Sequence, residues 1–325
     1  MALAVVALGV GISVDQWLNH NESSSIPPNE PARAVIPPTE LAGIGYLPES
    51  TEVVLAIQLP ALMEKFDPDE RDDPAKALAN MGLPETVIET MEKASGVGLK
   101  NVNELVIGMG FEKGSFPPQI VFVVHTRRPY DMSAVAREAK ARQLKRDGRM
   151  LHVVKASPVP EIYWWGPNDR VLVATLLARD LADVPVEPRT GIGHLKPQVA
   201  ELIRDRVPGD ASAWLVAFAD QWGDHIRPYT FLPFTPLKGR TDLIAPADRL
   251  RSIAIAIPQP SDRPAEVQIE LKSAAAGEEL RTAFAQRFHG EKVEITGDGE
   301  NCRLQTPFDP EQFGNFVARL IGPFR

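Results

Sequence analysis

One cysteine, Cys302, stands in a chain of 325 residues, which excludes an intramolecular disulfide framework and any zinc site built from several thiolates. Histidine is sparse too. None of the six (His20, His125, His152, His194, His225, His289) has another two, three or four positions on, where paired metal ligands often sit. Positive charge is short: 35 Lys and Arg against 43 Asp and Glu leave a net of −8, which argues against non-specific nucleic-acid binding by the whole molecule. The charge-free stretch 1–14 falls short of the ~20 apolar residues of a membrane helix. It also lacks the basic n-region and A-x-A-like cleavage site of a signal peptide. No Walker A loop, G-x-G-x-x-G, H-E-x-x-H or G-x-S-x-G elbow occurs, so the usual nucleotide, metalloprotease and esterase signals are missing and no cofactor is indicated.

Proline, by contrast, is abundant: 30 residues, about 9%, against a usual proportion of roughly 5%. Five of them fall in residues 19–40, with three serines and no apolar periodicity, the composition of an extended linker. The chain therefore reads as a membrane-anchor or signal remnant (1–18), a Pro/Ser-rich linker (19–43) and a folded body. A soluble apolar helix is the alternative for the first segment. Trp17, just past the apolar run, suits a membrane interface.

The body carries a weak internal repeat. Residues 47–59 lie over 207–219 at an offset of 160, 103–109 over 251–257 at 148, and 117–126 over 264–273 at 147. In the third pair Ile120, Phe122 and Val124 match Val267, Ile269 and Leu271, the inward set of a period-two strand. Helices follow near 133–146 and 277–289, and each copy then turns through a hairpin, at 161–176 and 291–306, on Gly, Pro, Asn and Asp. Asp309, Pro310 and the stripe Phe313, Phe316, Val317, Leu320, Ile321 predict a last helix. The expected fold is α+β: two tandem related β-α-β-β-α-β units, 44–190 and 191–325, the second including a bridging helix at 194–206, with mainly antiparallel sheets covered by helices.

The segments GYLPESTEVVLAIQL, PPQIVFVVHTRRPYD and IYWWGPNDRVLVATLLARDL resemble an uncharacterised class of membrane-anchored bacterial extracytoplasmic α+β domains in which a Tyr-Leu-Pro turn precedes each strand. The likeness spans residues 44–185 and touches the second unit at Val207 and Pro208. It implies an exported body behind a membrane anchor, and no agreed activity.

Two groups of residues suggest contact with a ligand or partner. Tyr163 and Trp165 share one face of a predicted strand, a stacking platform. Residues 222–240, too proline-broken for a helix, bring Trp222, Arg227, Tyr229, Phe231 and Phe234 into a recognition loop. A third group, Arg127, Arg128, Arg142, Lys145 and Arg146, belongs to a basic stretch suited to anionic headgroups or an acidic polymer, although solvated helix faces look the same in sequence. The acidic run 67–73 lacks the EF-hand glycine and terminal Glu, and His125 with His152 is a weak pair, so no metal site is assigned. Cys302 alternates with Leu304 and reads as a buried, inert thiol. The expectation is a non-catalytic, membrane-tethered extracytoplasmic protein that binds an unknown protein or envelope ligand and no nucleic acid. A carboxylate hydrolase using Glu161 and Asp169 in a groove between the units, and a structural envelope spacer, are the alternatives.

Overall fold

The computed structural model describes residues 34–66, 71, 73–80, 97–111, 117–155, 161–231, 238–259 and 262–321. The strands are β1 Val53–Gln58, β2 Val102–Gly110, β3 Gln119–Thr126, β4 Arg142–Arg146, β5 Arg149–Val154, β6 Ile162–Asn168, β7 Val171–Thr175, β8 Ala211–Phe218, β9 Leu250–Pro258, β10 Ala265–Leu271, β11 Glu294–Thr296 and β12 Asn301–Thr306. The helices are α1 Leu59–Met63, α2 Pro74–Asn80, α3 Met132–Glu138, α4 Pro197–Arg206, α5 Trp222–Phe231, α6 Ile244–Asp248, α7 Ala274–Arg287 and α8 Pro310–Ile321.

The twelve strands of the described residues join one sheet in the order β11-β12-β10-β9-β8-β1-β2-β3-β7-β6-β5-β4. Every pairing is antiparallel. The class is α+β, as expected, but the strands do not close into two sheets: β1 pairs with β8 and fuses them into one. Both are short apolar runs buried at nearly every position, the pattern of strands covered on both faces and hence central. Alternation sends Val53, Leu55 and Ile57 to one face, beneath α1, α2, α3 and α5 to α8. It sends Val54 and Ala56 to the other, beneath α4 and the 3-10 segments Ala42–Tyr46 and Ala178–Ala182.

Three local expectations change. The helix expected at 133–146 is α3 followed by β4. Asp131 caps α3 by accepting from the Ser133 and Ala134 amides, and Lys140 (φ 50) ends it. Asp147 (φ 51) and Gly148 (φ 76) then form the two-residue turn that folds β4 onto β5. Residues 222–231 are helix α5 despite Pro228, because Trp222, Ile226 and Tyr229 form a buried stripe whose packing outweighs the proline. Finally, the assigned linker reaches into the body by its last residues: Pro38 and Leu41 are buried, and the Gln58 side chain accepts from the Ile36 amide at 2.7 Å and donates to the Ile36 carbonyl at 2.8 Å.

Candidate functional site

The outermost strand β4 carries most of the basic stretch. Its register on β5 places Arg142 opposite Val153, Leu144 opposite Leu151 and Arg146 opposite Arg149, while Val153 lies opposite Tyr163 on β6. Period-two alternation therefore gathers Arg142, Arg146, Arg149, Tyr163 and Trp165 on one face, and turns Lys145 to the other beside Met150. The two aromatics and part of the basic patch, independent in sequence, meet at one end of the sheet, but Tyr163 and Trp165 are buried at 9% and 3% exposure, so they form a covered layer beneath the arginines and not the open stacking platform expected.

Within this face Arg142 and Arg146 are exposed, whereas Arg149 is 6% exposed. The Arg149 guanidinium lies 4.7 Å from the centroid of the Trp165 ring and donates through Nη2 to the Val184 carbonyl at 2.5 Å. Its Nε and Nη1 are buried without a partner, and burial holds its pKa below the usual arginine range. The Tyr163 hydroxyl donates to Glu161 Oε2, and Arg142 Nη2 donates to Glu161 Oε1 at 3.3 Å. The tyrosine bond above all keeps the Glu161 carboxyl below its ordinary range. That is opposite to the raised pKa a carboxylic general acid requires.

The other residues lie elsewhere. Trp222 and Tyr229 are buried beneath the opposite face of the sheet from Trp165, so the two aromatic groups share no surface. Arg227 faces solvent 3.8 Å from Asp224, Phe231 is 71% exposed, and Phe234 lies outside the described residues. Arg127 and Arg128 are in the turn after β3, their amides donating to Asn101, four strand spacings or about 19 Å from β4. His152 stacks on Trp164 while His125 belongs to the reverse face, opposite Glu104 in register, so the two histidines cannot share a ligand. Among the described residues no group of three His, Cys, Asp or Glu is placed to hold a metal ion. Cys302 is buried, which pushes its thiol up to about 11.

Two clusters had no sequence signal, because their members are far apart in the chain. Glu52, 8% exposed, is bridged by Lys196 and lies 3.6 Å from His225, whose ring stacks on Phe111. A polar cleft of about 300 Å³ opens between α4 and the β11–β12 turn, lined by Arg206, Ser252, Gln268, Glu270 and Arg303. Its groups are mutually bonded, Arg206 to Gln268 and Ser252 to Glu270. Arg149 is likewise absent from the residues expected from the sequence, although a signal for it was there: it alternates with Leu151 and Val153, whose apolar side chains mark the covered face.

No family model matches the chain, and no curated protein does. Among solved structures, crystal form I of TP0453 is similar with a TM-score of 0.47 and 9% identity, over 86% of this chain and 97% of that one. No function is carried over from it.

Proposed function

We propose that this chain is a non-catalytic binding protein held at the cell membrane by its N-terminal segment, with its body on the extracytoplasmic side and the β4–β6 end as the face that meets an anionic ligand. The observation that carries this reading is the convergence of Arg142, Arg146 and Arg149 with Tyr163 and Trp165 on one sheet end of a chain whose net charge is −8. Cations acting together attract an anion that one exposed cation, screened by salt, would not hold. The charge-free residues 1–14 and the proline-rich stretch after them support the tether, as does the Tyr-Leu-Pro turn at 46–48, where the Thr51 amide donates to the Pro48 carbonyl just before β1.

The body is, in this reading, a duplicated unit. Leu55 pairs with Leu215, the residue that the offset of 160 makes its equivalent. Val53 pairs with Met109 and Ala213 with Ile257, pairs related by the offsets 160 and 148. These pairings support a relation of the two units, 44–190 and 191–325, about a local two-fold axis at the sheet centre. Exchanging 103–109 with 251–257 in the full chain is expected to leave a folded protein; loss of folding would count against the equivalence.

Two experiments address tether and face separately. Fractionation should recover the native full-length protein with membranes, and recovery from the cytosol would end the tethering claim. In detergent, the full chain should bind soluble polyphosphate in a salt-dependent manner, and Arg142→Gln with Arg146→Gln should weaken that binding at least about tenfold.

A further inference from the structure

Two features of the β4–β6 end leave electrostatic need unmet. Arg146 and Arg149 stand directly opposite one another across the β4–β5 ladder, a like-charge pair that destabilises a sheet unless an anion intervenes. Arg149 in addition buries two N–H-bearing nitrogens, Nε and Nη1, without an acceptor, and a buried unsatisfied donor costs about 1–3 kcal/mol, more when charged. The neighbouring carboxylates answer this only in part: Asp147 acts on both arginines through its charge, but no carboxylate reaches the buried Arg149 nitrogens. Glu161 is engaged by Tyr163 and Arg142, and Asp147, exposed in the turn, pairs with Arg146 at 3.3 Å.

We propose that Arg146 and Arg149, with the Arg149 guanidinium backed by Trp165, form a clamp for a phosphate group. This rests on the reading of the β4–β6 end as the contact face and names the chemistry that face selects. A phosphate presents several oxygens and up to two negative charges, matching two arginines at facing positions of adjacent strands better than a single carboxylate does. Exposed Arg146 meets the ligand at the surface and exchanges its contact with Asp147 for one with phosphate. Buried Arg149 supplies donors that no longer have water to compete for them, and the Trp165 ring fixes its plane. The phosphate belongs either to a lipid headgroup or to a soluble phosphorylated molecule, and the site recognises what these share.

The test follows the arginine Nε–Hε resonances of the full chain in detergent, with Arg149 assigned by its loss in Arg149→Met. Titration with inorganic phosphate should shift the Arg149 signal saturably, while chloride at equal ionic strength should not. Arg146→Gln, a change at an exposed side chain that leaves the fold intact, should weaken the phosphate response about tenfold, and Asp147→Asn should strengthen it. Glycerol phosphate and a short-chain phosphatidylglycerol below its micelle concentration separate the sources: the tighter of the two identifies a soluble ester or a headgroup. An Arg149 signal that chloride moves as much as phosphate, or a phosphate response untouched by Arg146→Gln, overturns the clamp. If polyphosphate binding still depends on Arg142 and Arg146 in that case, the contact face stands without the clamp; if polyphosphate does not bind either, the face reading falls with it.

Discussion

Glu104 is the residue whose chemistry the fold alters most visibly. It lies on β2, 2% exposed, with its Oε1 accepting from the Gly43 amide at 3.1 Å, Gln58 beside it on β1 and His125 on β3. Desolvation pushes its pKa from 4.5 up to about 7, and burial pushes His125 from 6.5 down to about 4. The signs are opposite. The native state holds the Glu104 proton more tightly than the unfolded chain, so the associated stability is present below pH 4.5 and is lost as pH rises through 7. His125 resists protonation in the native state, so its contribution is present above pH 6.5 and is lost as pH falls through 4. Each shift corresponds to about 3 kcal/mol. Urea unfolding from pH 4 to 8 should therefore show wild type losing stability relative to Glu104→Gln between pH 4.5 and 7, and gaining it relative to His125→Asn between pH 4 and 6.5. Parallel pH profiles for wild type and Glu104→Gln would refute the first assignment. Neither group was legible as perturbed, because its burial is created by residues 41–47 crossing the sheet, far from it in sequence. The opposed faces of Trp164 and Trp165 were legible from alternation alone; that both are covered was not.

At the scale of elements, local signals named most strands and missed where one element stops. Asp147 and Gly148 are a strong hairpin signal, yet the surrounding residues 140–149 have no apolar alternation beyond Leu144, so the basic run reads equally well as a helix. The resulting strand β4 is an edge, and its cations also discourage pairing with another sheet. In α5 the misleading residue was Pro228. It is exposed and inside the helix, where it removes a backbone donor. Pro228→Ala should accordingly raise stability by about 1–3 kcal/mol in chemical denaturation, and a loss of stability would show that α5 depends on the proline. The segment 36–43 makes a further prediction. Gln58 holds the Ile36 backbone at both its amide and its carbonyl, so Gln58→Leu should speed hydrogen exchange there while β2 and β8 stay protected. Unchanged exchange at Ile36 would mean that apolar packing of Leu41, Ile44 and Leu47 alone docks the segment.

For the whole molecule, the seam between β1 and β8 decides the architecture. The uninterrupted apolar runs of both strands announced that they are buried, but nothing in either says that each is the other's partner across more than 150 residues of chain, because backbone edges are interchangeable until the rest of the core is placed. Both apolar layers cross this seam, with Leu55 and Leu215 on one face and Val54 and Val216 on the other. The described body should consequently unfold as one unit. Leu55→Ala should lower the whole transition by about 2–5 kcal/mol, and two separated transitions would contradict a continuous core.

Whether the basic outer end of this sheet is where the protein meets an anionic ligand is decided by affinity for polyphosphate, compared between the full-length wild type and the Arg142→Gln, Arg146→Gln double variant at two salt concentrations. Wild type should bind in a salt-dependent manner, and the double variant should bind at least about tenfold more weakly with an unchanged unfolding midpoint. Equal affinities for the two proteins, or no binding by wild type, would contradict it.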